Sequence, residues 1–282
     1  MTDHDHDAAH HQGLSVDLAL FQRTTQRRTI LRWMAVATLA PFVGCGSSET
    51  SGDDTSGDGG TGSGSTDTTA AGTCSVIPEE TAGPYPGDGS NGVNALVLSG
   101  IVRSDIRASI GTASGTAAGV PLTIKLTLVN TNDGCNKLAG YAVYLWHCDR
   151  AGLYSLYSQG VTDQNYLRGV QETDDAGTVT FTSIFPACYS GRWPHIHFEI
   201  YPSVSSITRA GNKIKTSQLA LPVEACNAVF ATDGYSASVR NLSQISLASD
   251  NVFSDGTSLQ LPTITGNVTD GYTVNLTVGI AD

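Results

Sequence analysis

The sequence predicts an all-β protein built as a β-sandwich, and three observations carry that prediction. Short runs rich in β-branched residues alternate apolar and polar positions. Clusters of Gly, Asn and Asp punctuate them. No long segment repeats apolar residues with a helical period of 3.6. Leu122–Val129 alternates and stops at Asn130, Asn132, Asp133 and Gly134, so it reads as a strand closed by a turn. Ala142–Trp146 reads as a second strand. Thr178–Thr182 reads as a third, entered through the turn Asp174-Asp175-Ala176-Gly177. His195–Tyr201 reads as a fourth, closed by Pro202, and Tyr272–Val278 as a late one with clean alternation. Short strands at this spacing with Gly-rich turns fit a sandwich, and no internal repeat competes with that reading.

The strands occupy only part of the 282 residues. Residues 1–45 read as a signal segment. Arg27-Arg28 forms a twin-arginine pattern ahead of an apolar run from Trp33 to Val43. That run is shorter than the ~20 residues a bilayer span needs, and it suits a signal-peptide core. A basic amphipathic helix is the other reading. The run ends at Phe42-Val43-Gly44-Cys45, which is similar to a lipoprotein box with Phe where Leu is usual. Lipidation at Cys45, or simple cleavage and release, would follow. Residues 46–73 are almost wholly Ser, Gly, Thr, Asp and Ala, cannot bury apolar area, and read as a disordered tether. The sequence therefore predicts an exported, extracytoplasmic domain over 74–282, with membrane contact only through an anchor at Cys45.

The chain has 15 basic and 26 acidic residues, a net charge of −11. That balance argues against nucleic acid, which needs a basic patch. Five cysteines fall in the domain: Cys74, Cys135, Cys148, Cys188 and Cys226. Export into an oxidising compartment predicts up to two disulfides and one remaining thiol, with the pairing left open.

Of the seven histidines, His4, His6, His10 and His11 lie near the N-terminus, and only His147, His195 and His197 lie in the domain. His195-Ile196-His197 places two imidazoles on one strand face, with Cα atoms ~6.5 Å apart. Both rings can then bind one metal ion, and imidazole suits Zn, Cu, Fe and Ni. Phenolates would narrow that list towards a hard trivalent ion such as Fe(III). Tyr189 lies six residues before His195, and Tyr154, Tyr157 and Tyr166 are within the same domain. A thiolate ligand from Cys188 is a rival reading. His147 follows a strand end and reads as a hydrogen-bonded structural histidine.

Several separated motifs resemble the intradiol ring-cleavage dioxygenases, the family of protocatechuate 3,4-dioxygenase and catechol 1,2-dioxygenase. They are Thr81-Ala82-Gly83-Pro84-Tyr85, Leu145-Trp146-His147-Cys148-Asp149-Arg150-Ala151-Gly152-Leu153-Tyr154-Ser155, Tyr166-Leu167-Arg168-Gly169, Phe181–Pro186 and Gly191-Arg192-Trp193-Pro194-His195-Ile196-His197-Phe198. The export signal and tether resemble the family's exported branch. The resemblance implies a non-haem Fe(III) cofactor held by Tyr154, Tyr189, His195 and His197. It implies Arg192 and Tyr189 as catalytic residues, the latter as general base. It also implies substrate binding by Gly83, Pro84, Tyr85 and Gln218. The sequence departs from the family at Ala187, where Gly is usual, and Cys188 stands beside it.

The reaction so implied takes a catecholic substrate and O₂ and cleaves the ring between its two hydroxylated carbons, giving a muconate-type diacid. Arg192, charged and planar, would stabilise developing negative charge. A second reading is a tethered binding module in which the histidines hold a structural metal or none. The two readings differ in whether Tyr154 and Tyr189 meet the histidines at one point.

Overall fold

A computed structural model describes residues 74–282. The signal, lipobox and tether expectations fall on residues 1–73, outside the described residues. Among the described residues nine strands form two sheets. The first combines β1 (Pro121–Asn130), β2 (Asn136–Lys137), β5 (Thr178–Ile184), β8 (Thr263–Asn267) and β9 (Gly271–Ile280). In it β1 runs parallel to β9 and antiparallel to β5. The second runs in the order β4-β3-β6-β7, antiparallel throughout, from Arg168–Glu172, Ala142–Trp146, His195–Tyr201 and Lys215–Ala220. Two short helices follow β7, α1 (Val223–Phe230) and α2 (Ser236–Leu242). Among the described residues no helix is long and apolar enough to cross a membrane.

The alternation in β1 has the expected consequence. Leu122, Ile124, Leu126 and Leu128 are buried, while Lys125 faces outward. They meet Val143, Leu145, Ile196, Phe198 and Ile200 of the second sheet in one core. Burying each such side chain contributes about 1.5–3 kcal/mol.

β6 is buried on both faces. Its even-numbered residues enter the inter-sheet core. The odd ones, His195, His197, Glu199 and Tyr201, point to the outer face. There a second apolar layer covers them, including Tyr144, Trp146, Tyr154 and Ala187, with Tyr85 and Tyr189 packed on it. The loop segments around Tyr85 and Tyr154 thus roof the outer face of this sheet.

The helices were not evident in the sequence. Ala225, Cys226, Val229 and Phe230 of α1 do face the core with helical spacing, but over only 8 residues. Among the described residues one disulfide forms, Cys74–Cys135, within the limit of two that the cysteine count allowed. Cys148, Cys188 and Cys226 are buried thiols. Burial raises the pKa of each thiol, to about 12 at Cys188.

Candidate metal centre

β6 supplies the two imidazoles and carries them on one face. Their Nε2 atoms lie 3.0 Å apart. Tyr154 lies beyond β3, on a loop whose turn is closed by Asp149 accepting from the backbone N–H groups of Ala151 and Leu153. Its Oη is 3.3 Å from His197 Nε2 and 3.5 Å from His195 Nε2. Tyr189 approaches from the loop before β6, with Oη 3.2 Å from His195 Nε2. Four donor atoms from three segments therefore face one point. Ligands ~2.0–2.1 Å from a single ion stand about 2.9–3.4 Å from one another, at right and tetrahedral angles respectively. The observed separations fit that spacing.

The protonation logic points the same way. His195 Nδ1 donates to the Trp193 carbonyl at 2.5 Å, so the neutral ring presents a bare lone pair at Nε2. Burial holds both imidazoles well below their usual pKa, with Arg192 adding to this at His195 and His195 at His197. Burial also pushes Tyr154 well above the ordinary phenol value, with Tyr189 second. Two neutral imidazole nitrogens and two phenolic oxygens crowd one point beneath the loops that cover the sheet. A metal ion answers all four at once and reverses the pKa logic, since it favours the phenolates. Among the described residues no group of three His, Cys, Asp or Glu gathers as a metal site. This cluster has two histidines and completes its donor set with tyrosines. Two hard anionic oxygens with two nitrogens suit a trivalent iron.

Local structure explains why each donor sits where it does. Trp146, paired with His197 across β3 and β6, stacks on its ring at 4.9 Å and 6°. Gly83 has φ +69°, and a Cβ there would lie 3.5 Å from His197 Cε1, so the 81–85 loop passes directly over the imidazole. The Tyr189 loop is fixed through its neighbour. Cys188 N–H donates to Ser238 Oγ, and Asn241 Nδ2 donates to the Cys188 carbonyl, both from α2. Cys188 Sγ meets the Arg192 carbonyl, so this thiol is neither a donor to the cluster nor a disulfide partner. Ala187 leaves the loop intact, its N–H donating to the Asp149 carbonyl.

The remaining predicted residues also gather here. Arg192 is buried, its Nη2 donating to Gln218 Oε1 at 2.7 Å. Burial works to lower the Arg192 pKa, but Tyr189 and Asp250 outweigh it and hold the guanidinium charged. Gln218 is the β7 partner of His197 in register and donates through Nε2 to the Thr81 carbonyl. Tyr85 is half-buried, its ring 5.0 Å from that of Tyr154 and 5.3 Å from that of Tyr157. Gly83, Pro84 and Tyr85 thus form a partly exposed rim beside the cluster.

The other tyrosines are occupied elsewhere. Tyr157 Oη donates to Asn91 and accepts from Gly87 N–H, and Tyr166 Oη donates to Asp149. His147 is structural, bonded to the Cys148 carbonyl and Ser183 Oγ. The sequence reading missed Asp250, Phe253 and the full role of Arg168. Arg168 is 1% exposed and donates to the carbonyls of Tyr85, Pro86 and Ser155 and to the hydroxyls of Tyr144 and Ser155. Its Tyr-x-Arg-Gly setting was visible, but nothing in spacing indicated those carbonyl partners.

The fold and site define a β-sandwich with a buried two-tyrosine, two-histidine cluster on the outer face of one sheet. A family model described as a dioxygenase matches residues 103–204, which include all four cluster residues and Arg192. An intradiol ring-cleavage dioxygenase from Tetranychus urticae is 26% identical over 74% of this chain and 95% of its own, with a TM-score of 0.58. The dioxygenase domain of a carbohydrate-binding fusion from Streptomyces sp. SirexAA-E is 20% identical over 73% of this chain and 99% of its own, with a TM-score of 0.46. Catechol 1,2-dioxygenase from Pseudomonas arvilla C-1 is 19% identical over 72% of this chain and 61% of its own, at 0.44. No curated protein matches the chain. The domain is similar to intradiol ring-cleavage dioxygenases in family model and in fold.

Proposed function

We propose that the protein is a non-haem Fe(III) intradiol dioxygenase acting on a catechol. The observation that carries the reading is the convergence of Tyr154, Tyr189, His195 and His197 with donor atoms 3.0–3.5 Å apart. A binding module has no need of both phenols at that point. Tyr154, Tyr189, His195 and His197 would hold the iron. Fe(III), when bound, supplies a Lewis-acidic, redox-active centre that brings the catechol and O₂ together.

The chain's own residues do the rest. Tyr154 is 2% exposed and stays fixed. Tyr189 is half-buried at the rim, so its phenolate oxygen can swing out and take a hydroxyl proton from the entering catechol. Arg192 presents a permanent positive charge to negative charge growing on the ring. Gln218 holds Arg192 Nη2 in place and ties it to the loop at Thr81. Gly83 allows that loop to close over His197, and Tyr85 walls the ring's entry and excludes water. Both atoms of O₂ enter the product, the bond between the hydroxylated carbons breaks, and a muconate-type diacid leaves.

The test is oxygen uptake by iron-loaded protein with catechol under ¹⁸O₂. One O₂ per catechol, with both labelled atoms in the diacid, supports the reading. Release of a quinone with no labelled diacid refutes it. We also propose that the domain works outside the cytoplasm, tethered through Cys45. Cys45→Ser should move it from the membrane fraction to the soluble one, and unchanged partitioning counts against the anchor.

A further inference from the structure

Asp250 lies in the turn between α2 and β8, far in sequence from every motif of the site, and is completely buried. Its two carboxylate oxygens face different partners. Oδ2 accepts from Arg192 Nε at 3.0 Å and from Trp193 N–H at 2.7 Å. Oδ1 accepts from the backbone N–H groups of Val252 and Phe253, at 2.8 and 3.1 Å. The same turn sets the Phe253 ring 6.0 Å from the Arg192 guanidinium carbon and 6.5 Å from the His195 ring. Arg192 is thus gripped at Nε by Asp250 and at Nη2 by Gln218, with an aromatic face beside it. A guanidinium is a rigid fork, so fixing two of its nitrogens fixes the direction of the third.

We propose that Asp250 is the positioning residue for Arg192: it aims the guanidinium at the reacting ring and, through Trp193 N–H, sets the start of the strand that carries His195. This rests on the ring-cleavage reading of Arg192. Outer carboxylates that orient a working residue typically matter 10- to 100-fold. Aim, unlike charge alone, is lost when the acceptor pair is changed even though Arg192 remains.

The test uses iron-loaded full-length protein and a double-mutant cycle with Asp250→Asn and Arg192→Ala. Asp250→Asn should keep iron, colour and native circular dichroism while kcat for catechol falls about 10- to 100-fold with little change in KM. Arg192→Ala should cost about 100- to 1,000-fold. The double variant should match Arg192→Ala, because Asp250 has nothing left to aim. A double variant that falls by the product of the two singles overturns the proposal, as does an Asp250→Asn kcat within about threefold of wild type, well short of the expected range. Loss of iron and native circular dichroism in Asp250→Asn, with no recovery in Asp250→Glu, would assign Asp250 to the fold alone and also overturn it. If the wild-type protein cleaves no catechol, the ring-cleavage reading falls by itself. The Arg192 Nε–H resonance of the labelled protein then decides. It should exchange slowly with water in wild type and at least tenfold faster in Asp250→Asn, and equal exchange overturns the grip.

Discussion

His195 and His197 point their Nε2 atoms at each other across 3.0 Å, while the far nitrogen of His195 is committed to the Trp193 carbonyl. Two imidazoles on alternate residues of one strand cannot satisfy one another and both tyrosines without a shared cation or a chain of protons. The site's predicted behaviour follows from that relationship.

Arg192 should separate chemistry from metal binding. Arg192→Ala is predicted to retain iron, colour and catechol binding while turnover falls about 100- to 1,000-fold, with Arg192→Lys intermediate. Stopped-flow binding and steady-state kinetics on one preparation check this. Wild-type-like turnover in Arg192→Ala would remove the guanidinium from the reaction.

Gly152 is a steric control on Tyr189. It adopts φ +87°, and a Cβ there would lie 3.1 Å from Tyr189 Cβ. Gly152→Ala should cost about 1–2 kcal/mol through the left-handed backbone. It should also shift the phenolate-to-iron absorption by displacing Tyr189. An unchanged spectrum would show that the Tyr189 loop tolerates the push.

Arg168 joins the Tyr85 loop to the Tyr154 loop, and among the described residues it has no carboxylate partner. Arg168→Met leaves the buried carbonyls of Tyr85, Pro86 and Ser155 without this donor. It should lower the unfolding free energy by about 3 kcal/mol and raise KM for catechol as the Tyr85 rim loosens. Urea unfolding measures the first effect, and a change below about 0.5 kcal/mol would contradict it.

His147 sets an acid limit. Burial lowers its pKa from 6.5 to about 4, with Arg168 adding to the shift and the bond to the Cys148 carbonyl opposing it. Between those values the unfolded chain takes up a proton that the native ring refuses. Its stabilising contribution is therefore complete above pH ~6.5 and declines as pH falls towards 4. Melting temperatures across this window should fall less steeply in His147→Gln than in wild type. Parallel curves would exonerate His147.

Much of this was legible in the sequence because the information is local. β1 and β9 carry alternation and β-branching within their own few residues, and His195-Ile196-His197 states its geometry by itself. Tyr154 needed the family motif to separate it from Tyr157 and Tyr166, since nothing in spacing marks which phenol turns inward. Asp250 and Phe253 were invisible, because they act through a turn 57 residues beyond Trp193 that only tertiary packing brings back. The short β2, β4, β7 and β8 and the two helices were missed for a related reason. Their register comes from neighbouring strands and the core, and their own sequences carry too few periods to show it.

Under the proposed function one ferric ion sits between two phenolates and two imidazoles. Metal analysis combined with the visible spectrum of the purified protein tests it most directly. The purified protein should hold about one iron per chain and show a burgundy phenolate-to-iron band, both lost together in His197→Ala. Stoichiometric zinc, iron without colour, or full iron occupancy in His197→Ala would contradict it.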